Sequence, residues 1–423
     1  MAAELLRIEL RRGPGIWAAV VSVALFYVAL HRYGAILTWM DATSAIGAST
    51  QLCGPVAAGI AAYCGSRAVR RKTIDQHQLA TRPELATTGS ELGAYAIWVV
   101  GTWLLATLVT LIVVWHNCHW GSPNAVWMAA AGAGLLAEIT AGYLFGRLAP
   151  YLVTPPVVAV VLFFATGLLL NHANNWWYFL SPLNSQDWLP FDGLHTTNFV
   201  LQTVFLLGAV VVCVAGAAIR FSRSERTTTA TLGTGLAMVI VAVAGLASGD
   251  GRFWAIDTRI EWKCLGSQPA VCIHPAFVSV ETPLRQQFDA VAQRIAGTAF
   301  QVNRFEQRPR GIGSQPTPGA IAFAIDVPVT AAVPDAVVGA TVSLLGADSC
   351  QTAPKLSSAR VEQAIIEWVS GQTVLGPDQS VADPPADALV SQFNALTDQG
   401  KRSWLTQHAD GIRSCSLVST ERR

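Results

Sequence analysis

The sequence predicts a polytopic all-α membrane bundle of seven helices followed by a soluble α+β domain. Two observations dictate this. Seven apolar stretches fill the first 250 residues, and the scarcity of charge is concentrated there, in a chain that is 52% hydrophobic and 13% charged. The remaining stretch of about 170 residues reads as water-soluble sequence, long enough to bury a real core, and carries Cys264, Cys272, Cys350 and Cys415, half of the eight cysteines. A hydrocarbon core about 30 Å thick calls for roughly 20 apolar helical residues, because a helix rises about 1.5 Å per residue and lipid leaves no backbone polar group unpaired.

Residues 1–14 come first. Leu5, Leu6, Ile8 and Leu10 alternate with Glu4, Arg7, Glu9, Arg11 and Arg12, which predicts a short helix lying along the membrane surface until Gly13-Pro14 breaks it. Apolar spans follow at Gly15 to Leu30, Ala45 to Tyr63, Leu92 to Trp115, Ala125 to Phe145, Tyr151 to Leu170 and Thr196 to Ile219, with a seventh at Ala230 to Ala247. The first follows basic residues as a signal peptide would, but no small-residue cleavage site comes after it, so it is read as a retained span. The resulting domains are 1–14, 15–220, 221–250 and 251–423.

Orientation follows from Lys and Arg, which accumulate in cytoplasmic loops. Arg7, Arg11 and Arg12, then Arg67, Arg70, Arg71, Lys72 and Arg82, then Arg147, then Arg220, Arg223 and Arg226 all fall inside under one topology, while loops 116–124 and 171–195 contain neither residue. Seven crossings place the N-terminus in the cytoplasm and residues 251–423 outside. The four cysteines there suit an oxidising compartment. Of the three pairings open to them, Cys264 with Cys272 and Cys350 with Cys415 is favoured, though spacing does not exclude the others. Cys53, Cys64 and Cys213, within spans, read as small packing residues.

In the last domain, Thr282-Pro283 opens a helix with Leu284, Phe288, Val291 and Ile295 on one face, and Gly297 stops it. Val361, Ile365 and Trp368 mark a second helix; Leu389, Phe393 and Leu396 mark a third after Asp383-Pro384-Pro385. AIAFAIDVPV from residue 320 reads as a strand, and Phe300 to Phe305 as another.

Two connections are unusual. Gly65 to Glu91, the longest inner loop, spaces Ile74, Leu79 and Leu85 as a helix broken at Pro83 would. The outer segment 171–195 packs Trp176, Trp177, Tyr178, Phe179, Trp188 and Phe191 together, which predicts a re-entrant or surface helix pair with its rings at headgroup level.

Chemical motifs are few. No GxxxxGK[ST] is present to cradle ATP phosphates and no HExxH to bind zinc. No metal or other cofactor is expected. Net charge of +1 gives no electrostatic footing for nucleic acid. His116, Cys118 and His119 in WHNCHW are soft ligands too crowded to close one tetrahedral site. His274, Asp326, His408 and Asp410 have no spacing that assembles a hydrolase. Glu138, the acidic residue inside a span, must face the bundle interior or be protonated, and Gly142 and Gly146 beyond it permit close helix contact.

The order of elements, with RRKTIDQHQLATRPELATTGSELGAYAIWVVGTWLL at residues 70–105 as its closest local likeness, resembles the ABC-2 class of exporter permeases over about residues 1–220. The resemblance implies six ABC-2-like helices, a homodimer or heterodimer of permeases in the bilayer, and a separate ATPase subunit that binds the ATP. It implies that Arg70, Arg71, Lys72, Thr73, Asp75 and Gln78 form the coupling element docking on that ATPase. Residues Trp176, Trp177, Tyr178, Phe179 and Trp188 would correspond to an extracellular gate. The added seventh span and external domain look like permease-like proteins of high-GC Gram-positive bacteria. The function expected is therefore non-enzymatic: a bacterial cell-membrane permease subunit exporting an amphipathic lipid, peptide or antibiotic. The alternative is a membrane-anchored extracytoplasmic binding, sensing or immunity protein.

Overall fold

The computed structural model describes residues 2–32, 36, 38–70, 84–118, 120–170, 175–182, 190–219, 225–249, 254–256, 262–309, 317–346, 356–374 and 384–417. They form two compact units, Met1–Asp257 and Thr258–Arg423.

The first unit is helical. Its helices are α1 (Ala2–Arg12), α2 (Gly15–Arg32), α3 (Trp39–Arg70), α4 (Glu84–Asn117), α5 (Ala125–Leu148), α6 (Thr154–Leu170), α7 (Thr196–Ile219) and α8 (Glu225–Ser248). Five of these, α3, α4, α5, α7 and α8, contain segments long and apolar enough to cross a membrane, rather than the seven expected. The other two expected spans form shorter apolar helices. For α6 the reason is local. Proline cannot donate a backbone hydrogen bond, and after Pro150 the chain turns, with Tyr151 N bonding Ala149 O, until the Thr154 hydroxyl caps the same carbonyl at 2.6 Å. The helix therefore begins at Thr154 and runs 17 residues, roughly 26 Å at about 1.5 Å per residue.

Conversely, α3 and α4 outrun their predicted spans at 32 and 34 residues. The connection between α3 and α4 is thus flanked on both sides by helix continuous with the bundle. Helix α1 is held by protein as well as by any membrane surface: Glu9 pairs with Arg67 at 3.2 Å, and Trp98 Nε1 donates to Leu10 O at 3.0 Å.

The bundle is organised by α3 lying along α5 and α6, α5 along α7, and α7 along α8. Small residues make the α3/α5 contact. A Cβ at Gly142 or Gly146 would run into the carbonyls of Ala58 and Ala62, and one at Gly65 into that of Tyr143. Ile46, Ala57, Ala61, Leu135 and Ile139 fill the core beside this seam. A two-stranded antiparallel ribbon, β1 (Asp192–Leu194) with β2 (Trp254–Ile256), also belongs to this unit. Residues 254–256 therefore fold with the helices and not, as expected, with the α+β domain.

The second unit is built on a mixed sheet of order β3 (Lys263–Leu265), β4 (Ala270–Ile273), β5 (Arg304–Gln307) and β6 (Ala320–Phe323). β3 and β4 are an antiparallel hairpin in which Cys264 faces Cys272; β4, β5 and β6 run parallel. α9 (Glu281–Ile295) crosses from β4 to β5 and buries Leu284, Phe288, Val291 and Ile295. Gly297, at φ +73°, takes the left-handed conformation that ends it. Phe288 stacks on Phe305 at 4.3 Å and leans on Phe323 at 4.9 Å, joining helix to sheet. α10 (Val333–Leu345), α11 (Leu356–Ser370), α12 (Pro384–Ala395), α13 (Asp398–Gln407) and α14 (Ala409–Arg413) complete the unit. Strand β6 stops at Phe323, well short of the run predicted from its sequence.

Candidate functional site

The buried charged side chains among the described residues of the helical unit, Glu84, Glu138 and Arg147, lie in two places. The first is Glu138, at the middle of α5 on the ridge Gly134, Glu138, Gly142, Gly146, whose four-residue spacing puts all four on one helix face. Glu138 is 2% exposed, and neither carboxyl oxygen has a hydrogen-bond partner among the described residues. Its side chain occupies the space that a Cβ at Gly54 would take, so the absence of a side chain on α3 is what lets a carboxyl sit in this seam.

The second gathering lies where α4 begins and α5 ends. Arg147 Nη2 meets Glu84 Oε1 at 2.6 Å and Arg147 Nη1 donates to Thr88 Oγ1 at 2.6 Å; both charged side chains are under 10% exposed. One turn away the Tyr143 hydroxyl donates to Glu91 Oε2 at 2.7 Å, and the Arg147 guanidinium lies 5.7 Å from the Tyr143 ring centre. The arrangement uses helix polarity. An acid in the first turn of α4 and a base in the last turn of α5 each complement their own helix dipole, and the two ends lie side by side. Sequence reading took Arg147 only as a topology-setting cation and passed over its partners. The signal was present: Glu84, Thr88 and Glu91 recur at the helical spacing that makes one face.

Of the predicted coupling residues, Arg70 closes α3, its guanidinium 4.8 Å from the Tyr63 ring centre. Arg71, Lys72, Thr73, Asp75 and Gln78 lie outside the described residues. Arg70 and Glu84 thus mark the ends of the two long helices that flank this connection.

The aromatic segment forms a 3₁₀ turn, Trp176–Leu180, capped by Asn175. Tyr178 and Phe179 are fully buried against Trp127 and Phe199; Trp176 and Trp177 stack on each other at 4.4 Å, and Trp177 is exposed. The Pro182 carbonyl presses against Gly134, and Gln202 Nε2 donates to Ser181 O at 2.8 Å, so the segment is fastened to α5 and α7. Trp188 lies outside the described residues.

In the second unit Cys264 and Cys272 are disulfide-bonded, and Cys415 is also in a disulfide; Cys350 lies outside the described residues. No cluster of three or more His, Cys, Asp or Glu that could hold a metal occurs among the described residues. Cys118 donates to Trp120 O, and His119 lies outside the described residues. His408 pairs with Trp404 O on its own helix, and His274 Nδ1 accepts from Ala276 N as a turn cap.

The second unit has two polar features that sequence reading did not single out. At the carboxyl ends of the parallel strands, Gln307 accepts from His274 N at 2.7 Å and donates to Ile325 O at 3.1 Å. Beside it, Glu306 is pulled two ways. Burial raises its carboxyl, but bonds from Thr317 and Arg308 and the nearby Arg304 prevail, and it is lowered to about 2. At the opposite ends of the strands lies an open groove of about 400 Å³ between the β3/β4 turn, α9 and the segment leading into β5.

No family model, curated protein or solved structure matches the chain.

Proposed function

We propose that the chain is the permease subunit of an exporter, of the ABC-2 kind that its order of elements resembles, working as a dimer and energised by a separate ATPase. The cargo is amphipathic: a lipid, peptide or antibiotic. In this reading the 65–91 loop faces the bacterial cytoplasm and docks the ATPase through Arg70, Arg71, Lys72, Thr73, Asp75 and Gln78, and the second unit lies outside the cell. One observation carries the proposal. The buried Arg147, Glu84 and Thr88 cluster ties the start of α4 to the end of α5, so force on the connection between α3 and α4 has a stiff route into the seam that holds Glu138. Both helices flanking the connection are long, and α3 carries Pro55 within it.

The first test is co-purification with an ATPase encoded beside the chain. Arg70→Glu with Arg71→Glu is expected to abolish association; unchanged association would refute the docking assignment. In proteoliposomes containing both subunits and a fluorescent lipid, Arg147→Met is expected to leave ATP hydrolysis within about twofold while stopping lipid movement. A second reading, in which the helices merely anchor a binding, sensing or immunity module, draws on the groove of the second unit. It is favoured if Glu138 and 71–83 variants keep full function.

A further inference from the structure

The groove of the second unit is open and lined mainly by polar side chains. One wall is the turn Gly266, Ser267, Gln268, fixed on a hairpin whose strands are cross-linked by Cys264 and Cys272. The facing wall is the α9 surface that presents Arg285, Asp289 and Gln293, and Gln301 and Asn303 close the end. Pro269, Ala292 and Val302 make a floor of small apolar groups. Arg285 and Asp289 form an exposed i,i+4 ion pair at 3.8 Å, longer than a hydrogen bond, so their N–H groups and carboxylate oxygens stay open to a ligand. The side chains of Ser267, Gln268, Gln293 and Asn303 make no hydrogen bond to another described residue.

We propose that this groove binds an extended peptide segment carrying both an acidic and a basic group. Primary amides offer a donor and an acceptor at the spacing of a peptide bond, and three of them, Gln268, Gln293 and Asn303, line the groove with their amides exposed to solvent. The lining has no aromatic ring, so a sugar has no face to stack on, whereas a peptide backbone needs none. Arg285 takes the ligand's carboxylate by a forked pair of bonds, and Asp289 takes its ammonium. From Arg285 to Ala296 the groove follows α9 for roughly 16 Å at about 1.5 Å per residue, the length of about five extended residues at about 3.3 Å each.

The test uses the full-length chain in lipid nanodiscs, an equimolar pool of end-blocked pentapeptides built from Ala, Ser, Gln, Glu and Lys, and mass spectrometry of what is retained. Peptides holding both Glu and Lys are expected to be enriched at least fivefold over those holding neither. Arg285→Ala with Asp289→Ala, both on exposed side chains, should abolish that enrichment. Gln293→Leu, which keeps both charges, should cut retention of all pentapeptides at least threefold. Retention of a chitin hexasaccharide in place of peptides, absence of enrichment, or enrichment that survives the double substitution would each overturn the proposal.

Discussion

Glu138 sits buried between α3 and α5, and it is accommodated there because Gly54 opposite has no side chain. The two positions compete for one volume, so their substitutions should not add. Gly54→Ala alone should lower the unfolding midpoint in detergent, and Glu138→Ala should relieve most of that loss. A coupling of about 1–2 kcal/mol is expected from the double-mutant cycle; additive effects would show that the residues do not share space. Glu306 makes a prediction of another kind. Its carboxyl titrates at about 2 in the folded chain against an ordinary 4.5, so between these values the folded chain binds fewer protons than the unfolded one. Its stabilisation is therefore complete above about pH 4.5 and is lost as pH falls towards 2. Compared with Glu306→Gln by urea unfolding, read as hydrogen exchange in β5 and β6, the native chain should gain on the order of 2 kcal/mol at pH 6. The gap should close by pH 2; a gap that holds constant would remove the carboxylate from the account.

Where α4 starts and α5 ends, two buried charges are held by each other, by Thr88 and by the helix termini behind them. Removing one partner leaves a desolvated charge, so Arg147→Met or Glu84→Leu alone should cost about 3–5 kcal/mol, while the joint replacement recovers most of it. Detergent unfolding of the three variants measures this, and a double variant no better than the singles would mean that the pair is not the fastening. The same elements mark how far the sequence could be read. Helix positions in the bundle were legible because apolar runs of bilayer length have one stable form. Their ends were not, since α3 and α4 continue as helix through polar residues whose partners lie on other helices. Glu84 pairs with Arg147 across 63 positions, and nothing local announces that. The aromatic turn hid its packing for a related reason: Tyr and Trp suit interfaces and cores alike, and the partners that bury Tyr178 and Phe179, Trp127 and Phe199, lie on other helices.

Each compact unit has its own core, Ile46, Leu135 and Ile139 in one and Phe288, Phe305 and Phe323 in the other. In the second unit, α9 was legible down to its four buried residues because period and punctuation agreed. The parallel order of β4, β5 and β6 was not, since four-residue strands carry little pattern and their pairing is set by distant partners. Covalent structure divides along the same line. Cys53, Cys64, Cys118 and Cys213 in the first unit are free thiols, whereas Cys264, Cys272 and Cys415 are bonded. A reductant therefore changes no bond among the described residues of the first unit and releases the hairpin of the second. The Cys264–Cys272 loop is short, a separation of 8, so its opening alone should cost about 2–3 kcal/mol by loop entropy. Chains with separate cores need not unfold in one step. Hydrogen exchange of the full chain in detergent, with and without reductant, should show lost protection in β4, β5 and α9 while α3 and α5 keep theirs. Equal loss in both units would mean that they unfold as one body, and the independence inferred from their cores would be wrong.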